Sequence, residues 1–164
     1  MAKYKIMVSG GRGYIRYYQF AKLMDKLLKR FPKDEVIIIE GGARGTDYLA
    51  FLYALRRGYK CLTFPADWDN LGSSAGYIRN AEMLEIATHC ATFWDGKSKG
   101  TGHVVQNAHR YDVAHRAFTI ESPKDEKQRK GNGNWRKANG RTLSKIRQRH
   151  NAQSRPGQTQ RPTV

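Results

Sequence analysis

Residues 36–47 read VIIIEGGARGTD, and this stretch decides the predicted fold. Its first part, 36–40, is a run of β-branched residues closed by a Glu, which is typical of a strand buried on both faces of a parallel sheet. Its second part, 41–47, holds three glycines and leads into a helical stretch that ends near Arg57. We expect Thr46 to be the N-cap of that helix. The stretch therefore predicts a strand, a Gly-rich turn and a helix in immediate succession.

The same succession recurs along the chain. Short apolar runs alternate with longer amphipathic stretches through short connections, which indicates an α/β protein. The predicted architecture is a Rossmann-like three-layer sandwich, in which helices cover both faces of a central parallel sheet of about five strands. We predict strands at 4–9, 36–40, 60–64, 89–94 and 117–120, and helices at 17–31, 46–57, 75–87 and 101–111.

Each Gly-rich loop follows a predicted strand and precedes a predicted helix. The carboxyl ends of parallel strands lie at one edge of the sheet, and ligands bind there at the point where the strand order reverses. Glycines let backbone N–H groups approach a phosphate, and the start of the following helix adds positive potential. The sequence therefore predicts a nucleotide-like ligand and no other certain cofactor. The candidate phosphate- or ligand-binding residues are Gly10, Gly11, Arg12, Gly41, Gly42, Arg44, Gly45, Thr46, Asp67, Arg79, Asn80, Gly96, Ser98, Gly100 and Thr101.

Two charged residues near these loops have alternative interpretations. Asp47, in the first turn of a helix, is either a favourable charge beside the helix dipole or, in a ligand site, an acceptor for ribose hydroxyls or a general base. Arg79 either contacts a phosphate or pairs with Asp67 or Glu82. The residues alone leave both pairs of alternatives open.

Two further features point less specifically to a ligand. The loop DGKSKGT at 95–101 has residue types that suit a phosphate, but its order differs from GxxxxGK[ST], so triphosphate hydrolysis is not inferred. Trp68 and Tyr77 are able to stack a nucleobase. Packing of their loops against the domain is the interpretation that we favour for these two aromatic residues.

The charge divides the chain into two parts. The 164 residues have a net charge of +16, and residues 124–164 alone hold twelve Lys and Arg against two Asp and Glu. We expect a folded domain over 1–122 and a basic, mostly disordered tail over 123–164, because the tail has almost no core-forming residues. Such a tail either contacts DNA or RNA through phosphate neutralisation or is a solvated segment that improves solubility.

The cysteines and the start of the chain indicate the compartment. Cys61 and Cys90 each lie in an apolar run, which predicts small buried core residues. Their spacing matches no zinc motif, so no metal site is predicted. The apolar run near residue 4 is too short for a signal peptide or a membrane span. We therefore expect a cytoplasmic protein without a membrane partner.

Several motifs together resemble the YspA-like, cpYpsA-related branch of the SLOG superfamily. The resemblance covers about residues 3–120 and rests on residues 10–13, GGARGTD at 41–47, PADW at 65–68, AGYIRNAEM at 75–83 and DGKSKGT at 95–101. The superfamily includes the Lonely Guy phosphoribohydrolases and the DNA-processing protein A fold. The resemblance implies a nucleotide-binding, Rossmann-like domain and a homodimer. It also implies a pocket lined by Arg44, Arg79, Asn80, Gly100 and Thr101.

The chain departs from the Lonely Guy enzymes at one place. RNAEM at 79–83 resembles their RxxxM-type motif, but the Glu that they carry after a GxGT-type loop is absent, because GHVV follows Thr101. GGARGTD is also similar to the ARGID-type motif of DNA-processing protein A, which binds single-stranded DNA. It is therefore open whether the chain is an enzyme.

Three hypotheses follow from these features. The leading one is a module that binds a nucleotide or nucleotide-derived ligand at the carboxyl edge of the sheet, as a sensor or processing protein. The second is a phosphoribohydrolase-like hydrolase of a nucleotide N-glycosidic or phosphoester bond, with Asp47 or Glu82 as the base and Arg79 stabilising the phosphate. The third is a single-stranded DNA- or RNA-binding protein that acts through residues 124–164 and a domain like DNA-processing protein A.

Overall fold

Five parallel strands form the centre of the fold. The computed structural model describes residues 2–121. Within them it has the strands β1 (Tyr4–Gly10), β2 (Val36–Glu40), β3 (Lys60–Thr63), β4 (His89–Trp94) and β5 (Ala114–Thr119). They pair in the order β3-β2-β1-β4-β5, and every pairing is parallel. The predicted α/β class with a five-stranded parallel sheet is confirmed, whereas the predicted tail over 123–164 lies outside the described residues.

Helices cover both faces of the sheet. They are α1 (Tyr17–Leu28), α2 (Thr46–Arg57), α3 (Trp68–Leu71), α4 (Ala75–Ile86) and α5 (Lys99–Asn107). α1 connects β1 to β2, and α2 connects β2 to β3. On the other side of β1, α4 leads into β4, and α5 connects β4 to β5. Because such crossovers are right-handed, the two pairs of helices pack on opposite faces. None of these helices, within the part of the chain that the structure describes, is long and apolar enough to cross a membrane.

Apolar side chains fill both layers between the sheet and the helices. On the α4–α5 face, Cys90 of β4 belongs to one buried cluster with Val104 of α5, and burial raises the pKa of the Cys90 thiol to about 12. On the α1–α2 face, the rings of Phe20 and Phe93 lie 4.7 Å apart. Cys61 and Cys90 are both buried and free, as their apolar surroundings predict.

The first helix is shorter than the predicted span 17–31. It ends at Leu28, and the ring of Phe31 packs on that of Tyr4 with their centroids 4.6 Å apart. Pro32 disfavours a helical conformation for the residue before it. The apolar spacing therefore continues past the end of α1 because Phe31 packs against β1 from outside the helix.

The last strand and the last helix also differ from their predicted bounds. β5 starts at Ala114 instead of 117 because it pairs with the whole of β4, and its first four residues are exposed and show no apolar pattern. α5 covers Lys99–Asn107 instead of 101–111. Its expected last turn is a 3-10 segment that stops at Asp112, which has a left-handed φ of 53°.

The strand order reverses beside β1. The chain runs from β1 outward to β2 and β3, and then crosses back to β4 and β5 on the other side of β1. Gly10 and Trp94, the last residues of β1 and β4, flank this switch point. Open parallel sheets bind ligands in the crevice at such a point, so the fold places the candidate site there.

Candidate functional site

A cavity of about 500 Å³ lies at this edge of the sheet. Its size falls within the range of about 300–1,000 Å³ that is usual for small-molecule sites. Its wall combines the loop after β1, the loop from β2 into α2, the segment from α3 into α4, and the loop from β4 into α5. The lining residues are Ser9, Gly10, Gly11, Arg12, Gly13, Ala43, Arg44, Asp47, Trp68, Ser73, Gly76, Tyr77, Arg79, Asn80, Asp95, Ser98, Gly100 and Thr101.

The cavity brings together most, but not all, of the residues proposed from the sequence. Those in its wall are Gly10, Gly11, Arg12, Arg44, Asp47, Arg79, Asn80, Ser98, Gly100 and Thr101. Those outside the wall are Gly41, Gly42, Gly45, Thr46, Asp67, Glu82 and Gly96. Trp68 and Tyr77, for which we favoured loop packing, line the cavity with 47% and 41% of their surfaces exposed.

The loops after β1 and β2 are locked to each other through their backbones. The carbonyl oxygen of Gly11 accepts hydrogen bonds from the amide of Thr46 at 3.2 Å and from its hydroxyl at 3.1 Å. A Cβ on Gly45 would collide with the carbonyl oxygen of Arg12, and one on Gly10 would collide with the Thr46 side chain. These glycines therefore allow two loops to touch, and this contact explains them without a ligand.

Thr46 has a different role from the predicted N-cap. Gly45 is the N-cap of α2, with φ 76° and ψ −125°, and Thr46 is the first helical residue. The Thr46 hydroxyl is fully buried and donates to Gly11 instead of accepting from its own helix. The N-cap prediction is wrong because the neighbouring loop supplies a carbonyl partner that the local sequence does not reveal.

Arg79 reaches the cavity from inside α4 and is only 8% exposed. Its Nη1 donates to the carbonyl oxygen of Gly41, close enough that a Cβ on Gly41 would strike the guanidinium. The same Nη1 lies 4.0 Å from Oδ2 of Asp47, so the structure pairs Arg79 with Asp47, which was not among the two acidic partners considered from the sequence. Burial lowers the pKa of Arg79, although the nearby Asp47 carboxylate opposes that shift.

Asn80 extends this contact to the opposite wall. Its Oδ1 accepts from Nε of Arg79 at 3.1 Å, and its Nδ2 donates to the carbonyl oxygen of Gly100 at 3.2 Å. The two side chains form a continuous link from Gly41 after β2 to Gly100 in α5, which we call the Arg79–Asn80 bridge. This bridge holds the two walls at a fixed separation.

In the loop after β4, a side chain of the loop accepts hydrogen bonds from two of the loop's own backbone amides. Oδ1 of Asp95 accepts from the amides of Lys97 at 2.9 Å and Ser98 at 2.8 Å. Burial raises the pKa of Asp95, but the hydrogen bonds from Ser98 and Lys97 outweigh it and hold the pKa below its ordinary value. These two amides are therefore occupied by the chain's own carboxylate.

The start of α5 remains open to the cavity. Ser98 is its N-cap, but within the described residues the Ser98 side chain does not cap a backbone amide of the helix, and its hydroxyl lies 3.3 Å from the hydroxyl of Thr101. Gly100 and Thr101 lie in the cavity wall, and a Cβ on Gly100 would meet nothing within 4 Å. The first amides of a helix have no partner within the helix and attract anions. This helix start is therefore a candidate anion site.

The loop after β1 contributes side-chain charge in place of a helix start. α1 begins only at Tyr17, and the cavity wall ends at Gly13, so the positive potential expected there from the following helix is not at the wall. Arg12 is exposed and its guanidinium carbon lies 5.5 Å from the centre of the Trp68 ring. Arg44, from the loop after β2, is also exposed at the wall.

Comparison with known proteins identifies the family of the chain. A family model described as the YspA, cpYpsA-related SLOG family matches residues 4–70. The Gene 61 protein of Mycobacterium phage D29 is 35% identical over 84 residues, which cover 48% of this chain and 67% of that protein. The chain belongs to the YspA, cpYpsA-related SLOG family. The family suggested by the sequence motifs is thereby confirmed.

A solved structure shares the fold of this SLOG chain. DNA processing protein A from Streptococcus pneumoniae superposes with a TM-score of 0.53 at 19% identity over 73% of the chain. At this identity the likeness concerns the fold alone. The SLOG chain corresponds to 50% of the length of that protein.

Asp47 is the carboxylate that the SLOG fold places in contact with both the cavity and the buried arginine. Its Oδ2 accepts from the amide of Ala43 at 3.2 Å and lies 4.0 Å from Nη1 of Arg79. Glu82, the other predicted base, is exposed on α4 and outside the wall. Among residues 2–121, no group of three or more His, Cys, Asp or Glu side chains is arranged to hold a metal ion.

Some lining residues of the SLOG site were missed by the sequence reasoning. They are Ser9, Gly13, Ala43, Ser73, Gly76 and Asp95. Ser9, Gly13 and Ala43 adjoin predicted site residues, so their neighbourhood was a usable signal. Gly76 lies inside a helix, where no turn chemistry marks a glycine as part of a wall.

Proposed function

We propose that this chain binds a nucleotide or nucleotide-derived ligand in the cavity, as a sensor or processing protein. The observation that carries the proposal is the convergence of the uncapped start of α5 and the exposed guanidinium groups of Arg12 and Arg44 on one cavity at the switch point. Membership of the SLOG family supports the same class of ligand.

The proposal assigns the phosphate to the open wall. The amides of Gly100 and Thr101 receive the anion at the start of α5, and Arg12 and Arg44 add charge from the opposite loops. Arg79 has a different part, because it is buried and its Nη1 already donates to the carbonyl oxygen of Gly41. We assign it to holding the site in shape.

Calorimetric titration of the full chain tests this function. We expect adenosine 5′-monophosphate, ADP-ribose or a cyclic nucleotide to bind with a Kd in the low-millimolar range or tighter. Arg44→Gln should weaken binding about tenfold, because a hydrogen bond to a charged group is typically worth about 1.5–3 kcal/mol. Arg110→Gln, at an exposed position outside the wall, is the matched control. Absence of binding to the whole panel overturns the proposal.

A hydrolase is the second candidate, and the buried carboxylate of Asp47 in the wall favours it. Asp47 would take a proton from water as the water attacks the ribose carbon, the N-glycosidic bond would break with its electron pair going to the base nitrogen, and that nitrogen would take a proton from solvent. A positioned general base contributes about 10²–10⁴-fold to such a rate. Asp47→Asn should then abolish release of free base while nucleotide binding persists. Equal release by the variant and the wild type excludes Asp47 as the base.

Nucleic-acid binding is a third candidate, which rests on the net charge of +10 in residues 124–164. The solved structure of similar fold is named as a DNA processing protein. Contacts made through neutralised phosphates weaken steeply with salt. We expect deletion of 124–164 to flatten the salt dependence of binding to a single-stranded oligonucleotide. Identical salt slopes for the two chains rule out the tail as the contact.

A further inference from the structure

We propose that the indole of Trp68 is a stacking surface for the nucleobase of the ligand, in the same cavity that receives the phosphate. The inference rests on the proposed function and adds the part of the ligand that the phosphate loops do not recognise. It comes from three observations on Trp68 and its surroundings.

The first observation is that Trp68 is presented to the cavity by a capped segment. Trp68 is the first residue of α3, and the Asp67 carboxylate accepts from the amide of Asn70 at 3.2 Å and thereby caps that turn. The indole remains 47% exposed although it lies in the wall. An exposed aromatic face in the wall of a cavity is the feature that base-stacking sites share.

The second observation is a glycine that fits the indole. Gly76 lies in the first turn of α4, and a Cβ there would come within 3.1 Å of Cη2 of Trp68. Its φ is not in the left-handed region, so backbone conformation does not require a glycine. Glycine is otherwise unfavourable in a helix. The absence of a side chain at Gly76 therefore lets the indole pack closely against α4, and this packing positions the ring in the wall.

The third observation concerns the other side chains in the wall near the indole. The guanidinium carbon of Arg12 lies 5.5 Å from the ring centre, and Tyr77, which follows Gly76 in the wall, is 41% exposed. Guanidinium planes and aromatic rings are the groups on which proteins stack splayed-out bases. The start of α5, which carries Gly100 and Thr101, lines the same cavity.

This arrangement selects a class of ligand and not one base. Every nucleobase has a π-face, so stacking on Trp68 tolerates purines and pyrimidines. A sugar phosphate without a base would make the phosphate contacts but would not stack on the indole. The inference therefore separates nucleotides, which gain from Trp68, from ribose 5-phosphate, which does not.

The test is calorimetric titration of the full chain with adenosine 5′-monophosphate and with ribose 5-phosphate. Trp68→Leu should weaken the nucleotide about 5- to 150-fold, the span measured for loss of one base–aromatic stack. Trp68→Phe should retain most of the affinity because it keeps a ring. Ribose 5-phosphate should bind all three chains alike. Tyr18→Leu, at a position 85% exposed and outside the wall, is the control for loss of a surface aromatic.

The outcomes distinguish this inference from the function on which it rests. Unchanged nucleotide affinity in Trp68→Leu, or equal weakening of both ligands, overturns the base-stacking role while the proposed function stands. A wild-type chain that binds neither ligand overturns the proposed function and the inference with it. Thermal unfolding of Trp68→Leu should match the wild type, because the indole is half exposed, and this comparison shows that any weakening is local.

Discussion

The two sides of the cavity use glycine for opposite purposes. On the locked side, formed by residues 10–13 and 41–46, a Cβ on Gly10 or Gly45 would strike a neighbouring segment of the chain. On the open side, formed by residues 98–101 with Trp68, a Cβ on Gly100 would meet nothing within 4 Å. Glycine thus brings two loops together on one side and leaves the start of a helix accessible on the other. A Gly-rich loop at a sheet edge is therefore not by itself a phosphate site.

The largest expected effect comes from cutting the bridge that joins the two sides. Arg79→Met should lower the free energy of unfolding by about 3–5 kcal/mol, because it removes the buried cation that lies 4.0 Å from the Asp47 carboxylate. Urea unfolding measures the loss, and Arg110→Met at an exposed position should stay within about 0.5 kcal/mol. A small effect at both positions would mean that the bridge does not hold the walls.

The next effect compares one glycine from each side. Gly45→Ala should destabilise by about 3 kcal/mol, because the φ of 76° is strained for a side chain and the new Cβ would meet the Arg12 carbonyl. Gly100→Ala should be neutral or stabilise by up to about 1 kcal/mol, since it lies in a helix with free space around it. Urea unfolding of both variants measures the two changes in the free energy of unfolding. Equal losses of stability would contradict the proposed difference between the two sides.

Asn80→Ala should have an intermediate effect. It removes the hydrogen bonds to Arg79 and Gly100 and should lower the free energy of unfolding by about 1–2 kcal/mol. It should also weaken nucleotide binding, because the start of α5 loses its tie to the other wall. Asn107→Ala, which removes a side-chain hydrogen bond to the carbonyl oxygen of His103 outside the wall, provides the comparison. Loss of stability without loss of affinity would restrict Asn80 to a purely structural part.

The smallest effect concerns acid pH and the open side. The pKa of Asp95 is below its ordinary value, so its stabilising contribution is complete above the unfolded pKa and is lost as pH falls through the lower folded pKa. Asp95→Asn should lower stability at pH 7 by less than about 1 kcal/mol, given the solvent around the loop, and should reduce the fall in stability below about pH 4. Urea unfolding between pH 3 and 7 tests this, and identical pH profiles contradict it.

The sequence predicts the open side better than the locked side for a physical reason. Strand order, the loops at one edge and the candidate residues Gly100 and Thr101 follow from local pattern and from the geometry of parallel sheets. The contact of Gly45 with Arg12 and the turn of the Thr46 hydroxyl toward Gly11 depend on where two distant loops meet, which no local pattern encodes. The same holds for Arg79, whose partners Gly41, Asp47 and the carbonyl oxygen of Phe64 come from three other segments.

The start of β5, at the exposed edge of the sheet, is a second feature that the sequence does not predict. β5 starts earlier than predicted because its first residues pair through the backbone while their side chains are exposed. The unit from β2 to α2 has its predicted bounds because a buried strand shows its apolar run directly, and Gly58 ends the helix at φ 69°. Burial, more than pairing, is what the sequence pattern reports.

The most direct test of the central claim is an amide chemical-shift titration of the full chain with adenosine 5′-monophosphate. The account predicts saturable shifts that are largest at the amides of Gly100 and Thr101 on the open side. Shifts at Gly45 and Thr46 should be small, because the Thr46 amide is already bonded to the Gly11 carbonyl. Largest shifts at Gly45 and Thr46, or no saturable shift at any amide, would contradict it.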